Sequence, residues 1–310
     1  MVPAKECNLL LVTGAGGLIG EAVCRASVSA GWDVVAVWRS RRPAPVRGLR
    51  DRRRDLATES VGPLDGVAAL VHAAAQLPGL DDPARVAEHN RIVDDSVLSQ
   101  ALRAGCRVVY LSGTSVYGRT TGEEPVTEDA SLRPADPYAA AKADAEDSGR
   151  ALAARYGTPF TTLRVSAPYG PCQRAATVLQ KFVTRALSGE PLGYHGSGTR
   201  EQTFTFVDDV ADAVLRAVEG PPGAYNVAGS APVTMRRLAD MVVEAAGAPA
   251  DLVLGSGQED PQEGFLARYD TSRAHGVLGW SPRVDLAGGL ARVVDAQRAS
   301  REREGPCSSG

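Results

Sequence analysis

Apolar positions along the chain switch repeatedly between two periods. Residues 8–13 form a short apolar run that stops at glycine, and residues 18–30 then repeat their apolar positions at helical spacing. Residues 34–38 and 67–72 are again short and almost wholly apolar. Runs of this kind, bounded by turn residues, predict strands buried on both faces. Residues 83–104 predict a long helix, 107–112 a strand, 137–156 a helix and 159–165 a strand. Strands alternating with helices of this length predict βαβ units. The expected fold is therefore α/β, built on a parallel sheet. Within it, residues 39–54 are polar and arginine-rich, which predicts loop with one weak strand.

The rhythm loosens after about residue 170. Helices are expected at 177–187, 207–219, 234–246, 271–278 and 286–297, and a strand at 224–227. The Asp208-Asp209 pair is the expected cap of the second of these helices. Residues 250–267 read as loop. The division is then residues 1–170 for the mainly α/β domain and 171–297 for a smaller, irregular second domain, some of whose elements return to the first. Residues 298–310 read as a disordered tail.

Composition narrows the function. A chain of 310 residues, 44% of them hydrophobic, can bury a large core. Its 34 Lys and Arg against 37 Asp and Glu leave a net charge of −3, without the basic excess of a nucleic-acid binder. No run of 18 apolar residues is present, so no membrane span is expected. The cysteines at 7, 24, 106, 172 and 307 fit no metal spacing, and no metal is expected. No export signal is visible, which points to a reduced cytoplasm.

Chemistry concentrates at a few places. Gly14, Gly17 and Gly20 lie between the first strand and the first helix, with Leu18 and Ile19 inside the motif. The first glycine permits a tight turn, the second lets backbone approach a pyrophosphate, and the third permits close helix–sheet packing. The helix N-terminus adds amide donors for phosphate. Arg39 ends the second strand, where an acidic residue would suit the ribose hydroxyls of NAD. An arginine there, with Arg41 and Arg42, suits the extra phosphate of NADP. Asp55 and Leu56 are candidates for the adenine ring. His72-Ala73-Ala74 ends another strand, with small residues that let backbone pass close to a cofactor. Tyr138 and Lys142 are four apart on a predicted helix and share a face. A neighbouring ammonium favours the phenolate, which can then exchange a proton with a hydroxyl or carbonyl. Ser112 ends the strand before that helix.

These features together resemble the extended short-chain dehydrogenase/reductase family, also described as the NAD-dependent epimerase/dehydratase family. Val116-Tyr117-Gly118, Leu163-Arg164, Tyr169-Gly170-Pro171, Val207-Asp208-Asp209-Val210 and Leu278-Gly279-Trp280-Ser281-Pro282 carry the likeness further, over roughly residues 8–296. The resemblance implies a doubly wound Rossmann-type parallel sheet in residues 1–170 that binds NAD(P), and a smaller C-terminal substrate-binding domain in 171–297. It also implies hydride transfer at a sugar carbon, Tyr138 and Lys142 as the proton-transfer pair, a nucleotide-linked sugar as substrate, and a homodimer.

Three departures stand out. The family usually places a catalytic Ser or Thr three residues before the Val of Val-Tyr-Gly, and here that residue is Gly113. Thr114 is the first choice to replace its hydroxyl and Ser115 the second. Relatives that act on nucleotide sugars commonly carry Arg-Asp just before Phe204, where this chain has Gln202-Thr203, and Arg200 is the nearest substitute. Their arginine-bearing loop is here an acidic stretch with Glu259, Asp260 and Glu263, next to Arg268. His195 and Cys172 are further candidates near the substrate. Arg39 makes the leading expectation an NADP(H)-dependent ketoreductase for a 4-keto-6-deoxy nucleotide sugar, with NAD(H) as the other cofactor. The alternatives are an NAD-dependent nucleotide-sugar 4-epimerase, a reductase or dehydrogenase of a small non-nucleotide molecule, and a cofactor-binding protein without turnover.

Overall fold

The computed structural model describes residues 8–304, apart from Leu80 and Cys172. Its centre is a seven-stranded sheet. β1 (Leu9–Thr13), β2 (Asp33–Trp38), β3 (Leu49–Arg53), β4 (Val67–His72), β5 (Arg107–Gly113), β6 (Phe160–Val165) and the strand Ala224–Val227 are all paired in parallel. Their spatial order is Ala224–Val227, β6, β5, β4, β1, β2, β3, so the order reverses between β4 and β1. Ligands of such sheets bind at the carboxyl ends of the strands beside that reversal.

Helices cover both faces. α1 (Leu18–Ser29) packs on α5 (Val207–Glu219) on one face, and α2 (Pro83–Arg103) packs on α3 (Pro137–Tyr156) on the other. Val12, Ala36, Val71, Val109 and Leu163 are buried toward the first pair, while Leu11, Val35, Leu70, Val108 and Tyr110 are buried toward the second. Alternate residues thus feed two cores, which is why these strands read as continuous apolar runs. Asp82 and Asp136 cap α2 and α3 through their side chains, each just before a proline at the first helical position.

A smaller C-terminal region is built from α4 (Val178–Ser188), α6 (Met235–Ala246) and α8 (Leu286–Glu304), packed around Leu179, Phe182, Leu238, Val242 and Leu290. Two parts of the sequence reading change here. Residues 250–267 hold a short 3₁₀ turn, Ala250–Leu252, and a strand, Val253–Gly255, paired with Leu192–Tyr194. α8 continues past residue 297 to Glu304, so residues 298–304 are helical, and the rest of the expected tail lies outside the described residues.

The Asp208-Asp209 pair is not the cap of α5. Phe206 holds that position without a side-chain hydrogen bond. Asp209 is buried inside the first turn, and its carboxylate accepts from the backbone N–H of Arg283 at 3.1 Å and of Val284 at 3.0 Å. The buried Trp280, in the loop after α7 (Ser272–Leu278), donates its Nε1 proton to the Asp209 carbonyl at 2.9 Å. Asp209 therefore fastens α5 to a segment some 70 residues later.

Candidate functional site

The glycine-rich turn lies at the carboxyl end of β1. Gly14 has φ +66°, and a Cβ there would lie 2.6 Å from the backbone of Ala73 and Ala74. A Cβ on Gly20 would lie 2.2 Å from the Gly14 carbonyl oxygen. Real Cβ atoms do not come so close, so both positions require glycine. Gly14, Gly17, Arg39, Asp55, Leu56, Ala73 and Ala74 border one cavity of about 230 Å³. This is the place a dinucleotide needs: backbone close by, a helix N-terminus beside it, and a turn whose one side chain, that of Ala15, is buried away in the core.

Other expected residues do not border that cavity. Leu18 and Ile19 are partly buried against the core, and Gly20 lies in the helix–strand contact. Ser112 is buried and donates to Glu146 Oε1 at 2.6 Å. His72 is fully buried behind the cavity, its Nδ1 2.6 Å from Thr13 Oγ1. The sequence reading missed Asn90. This buried α2 residue accepts from the Gln76 N–H at 2.8 Å and donates to the Gln76 carbonyl at 2.9 Å, which fixes the strand end beside the cavity. An uncharged polar residue on the apolar face of a helix was the available signal.

Much of the arginine cluster is already engaged within the chain. Arg41 pairs with Glu21 at 2.8 Å, and Arg42, outside the cavity, pairs with Asp51 at 2.8 Å. Arg54 pairs with Glu59 at 3.0 Å. Arg39 does face the cavity, and its Nη1 contacts Nε2 of His89 at 2.7 Å. These partners lie up to 50 residues away in the sequence; Glu21, Asp51 and Glu59 offset three of the arginines, while the partner of Arg39 is an imidazole, which does not cancel its charge.

Tyr138 is half-buried at the start of α3, one turn before the buried Lys142. Lys142 Nζ donates to the Tyr110 hydroxyl at 3.0 Å. The end of β5 continues into a 3₁₀ turn, Thr114–Tyr117. The Thr114 hydroxyl is buried and hydrogen-bonded to the phenol of Tyr269, which itself stacks on Tyr117. Ser115 is exposed, and a Cβ built on Gly113 would lie 3.4 Å from Ser115 Oγ. Of the hydroxyls flanking Gly113, that of Ser115 has no internal partner among the described residues and stands beside the missing side chain. The sequence expectation put Thr114 first, and its hydroxyl lies against Tyr269. Tyr117 is held in place by Arg164 at 2.9 Å and Asn226 at 2.7 Å, and Arg164 in turn forks onto the buried Glu146.

The arginines expected at a substrate diphosphate are paired too. Arg200 meets Asp260 at 2.8 Å and Gln262 at 3.0 Å, and Arg268 meets Glu201 at 2.7 Å. Gln202 lies on a short strand, Glu201–Thr203, paired with Pro232–Thr234. Cys172 lies outside the described residues, as do Cys7 and Cys307. Among the described residues no group of His, Cys, Asp and Glu is arranged to hold a metal ion, and no helix is long and apolar enough to cross a membrane.

Residues 10–228 match the model of the NAD dependent epimerase/dehydratase family. The chain belongs to this family. It is 33% identical to a UDP-glucose 4-epimerase of Mycolicibacterium smegmatis, over 92% of this chain and 97% of that one. A UDP-glucose 4-epimerase of Thermus thermophilus, solved with NAD, is similar in structure with a TM-score of 0.82 at 26% identity, covering 94% of this chain and all of the other. A dTDP-glucose 4,6-dehydratase of Streptomyces venezuelae, also solved with NAD, gives a TM-score of 0.84 at 27% identity, covering 95% and 98%. These likenesses overturn the expectation of NADP(H) and of a ketoreductase. The solved relatives hold NAD, and two of the arginines that suggested a second phosphate, Arg41 and Arg42, are paired with Glu21 and Asp51. The family member is an NAD-dependent oxidoreductase of the epimerase/dehydratase type.

Proposed function

We propose that this protein is an NAD-dependent 4-epimerase of a nucleotide-linked sugar. The observation that carries the reading is the pairing of Tyr138 and Lys142 with a turn, Gly113-Thr114-Ser115, that contains no carboxylate. Removing water from a sugar calls for an added acid and base, and this turn offers only hydroxyls. Inverting a hydroxyl calls for one group that takes a proton and later returns it, and Tyr138 suffices. The relatives named as UDP-glucose 4-epimerases support the same choice.

Bound NAD would accept a hydride from the sugar carbon and return it to the opposite face. The cradle fits that cofactor, since Gly14 and Gly20 leave the turn open where a Cβ would close it. Asp55 and Leu56 border the cavity opposite the turn and would meet the adenosine end. Tyr138 as phenolate takes the proton of the 4-hydroxyl, and Lys142 stabilises that phenolate. Ser115 donates a hydrogen bond to the same oxygen in place of the missing side chain at Gly113. Arg200, Gln202 and Arg268 remain the candidates for the nucleotide end of the substrate. A cytoplasmic homodimer is the expected working form.

The test is direct. The purified protein should carry or bind NAD in preference to NADP, and should interconvert UDP-glucose and UDP-galactose or the corresponding dTDP-sugars. Tyr138→Phe should keep NAD and lose turnover. No interconversion of any of these sugars by a protein saturated with NAD would reject the epimerase reading.

A further inference from the structure

Behind Tyr138 and Lys142 lies a buried polar cluster that this proton transfer does not use. Asp94, in α2, is fully buried. Its Oδ2 accepts from the Tyr110 hydroxyl at 2.8 Å and lies 3.7 Å from Lys142 Nζ. Its Oδ1 lies 3.0 Å from His72 Nε2. Lys142 Nζ donates to Tyr110 Oη and stands 4.6 Å from the centre of that ring. β4, β5 and α3 thus each direct one polar group at a single carboxylate on α2.

A carboxylate in such a place is costly unless it is paired and hydrogen-bonded. Burial pushes the Asp94 carboxyl up, but Lys142, His72 and Tyr110 together outweigh burial and hold it below the ordinary range. The neighbouring acids act elsewhere. Asp95 is exposed on α2, Asp144 pairs with Arg91 on the surface, and Glu146 pairs with Arg164. The ion pair also has a location that a merely structural pair does not need. Its lysine is the one that shares a helix face with Tyr138.

We propose that Asp94 is a positioning residue for proton transfer: with Tyr110 it fixes the ammonium of Lys142 in a dry pocket, one helical turn from Tyr138. The inference rests on the reading of Tyr138 and Lys142 as the proton-transfer pair. An ammonium has three donors. One is committed to Tyr110, which sets the direction of the others. Lys142 then presents its charge without the rotamer search that a free lysine side chain must give up when it is fixed.

The chain has three lysines, Lys5, Lys142 and Lys181. Lys181 is exposed and Lys5 lies outside the described residues. In the ligand-free, ¹⁵N-lysine-labelled protein near neutral pH, an ammonium signal survives proton exchange only where the group is shielded and hydrogen-bonded. One such signal is expected, and Lys142→Arg should remove it. Asp94→Asn, and Asp94→Ser as a smaller neutral variant, should broaden it beyond detection while thermal melting shows a folded chain. A wild-type spectrum without a protected signal, or a signal that survives in either folded variant, overturns the proposal. Because the readout needs neither substrate nor cofactor, it stays separate from the epimerase assay. A protein with the signal but no turnover on sugars would reject the function and leave Asp94 in its role.

Discussion

Replacing Gly14 with Ala tests the cofactor cradle quantitatively. Two costs add at this position. An L side chain at φ +66° gives up about 1–2 kcal/mol of conformational energy. The new methyl would also stand 2.6 Å from the Ala73 carbonyl and the Ala74 nitrogen, which are backbone atoms that cannot rotate away. Overpacking of that kind costs about 1–3 kcal/mol once the neighbours shift. Gly31 supplies the reference, since it has φ +88° and open space where its Cβ would be. Gly31→Ala should therefore show the conformational cost alone. Urea melts of the two variants should differ by about 1–3 kcal/mol, with Gly14→Ala the less stable. Ala73 and Ala74 border the cavity, so the same shift should weaken NAD binding in a fluorescence titration. A loss of about 1.4 kcal/mol reads as a tenfold rise in Kd. Equal stability of the two variants, with NAD binding unchanged in Gly14→Ala, would refute the reasoning.

Further outcomes are expected at other sites. Ser115→Ala should lower kcat about 100-fold in steady-state kinetics, the scale seen when one donor to a reacting oxygen is lost, whereas Thr114→Ala should not. Asp209→Ala leaves two backbone N–H groups without their acceptor and should destabilise the protein by about 2–4 kcal/mol in urea. Glu201 is held below the ordinary carboxylate range by Arg268, and Asp94, despite its burial, by Lys142 and His72. Depressed carboxyls stabilise the folded state above their unfolded values near 4, and that contribution is lost as pH falls through the folded values. The urea midpoint should therefore hold from pH 7 to about pH 5 and drop below about pH 4; a rise on acidification would contradict the assignment. Burial pushes the Cys24 thiol up to about 12 and that of Cys106 to about 11, so mass spectrometry at pH 8 should find both unalkylated until the chain is denatured.

The order of strands and helices was legible because the central strands are buried on both faces and bounded by glycine, proline or capping aspartates. The glycine turn and the Tyr138–Lys142 face were legible because each depends on neighbours within one turn or one helix. What stayed hidden depends on distance along the chain. Arg42 reads as a phosphate ligand until Asp51 arrives from β3 beside it, and Arg41 until Glu21 approaches from α1. Asp209 looks like a cap because caps are local, yet its partners are Arg283 and Val284. Thr114 and Ser115 are adjacent, and only the 3₁₀ turn decides which faces Tyr269 and which faces outward. The short strands of the C-terminal region hold two or three residues, too few for any period to show.

The edge strand Ala224–Val227 has a consequence for how the protein is made. It completes the nucleotide-binding sheet beside β6, and the chain reaches it only after α4 and the strands around Gln202. Trp280, which closes the core under α5, comes later still. A nascent chain that has emerged to residue 170 holds every group of the glycine turn and the Tyr138–Lys142 pair, but β6 is an open edge and the face awaiting α5 is bare. Such an edge invites pairing with another chain. Both halves must therefore mature together during synthesis, and the cofactor site gains its finished support only once the chain has emerged past Trp280.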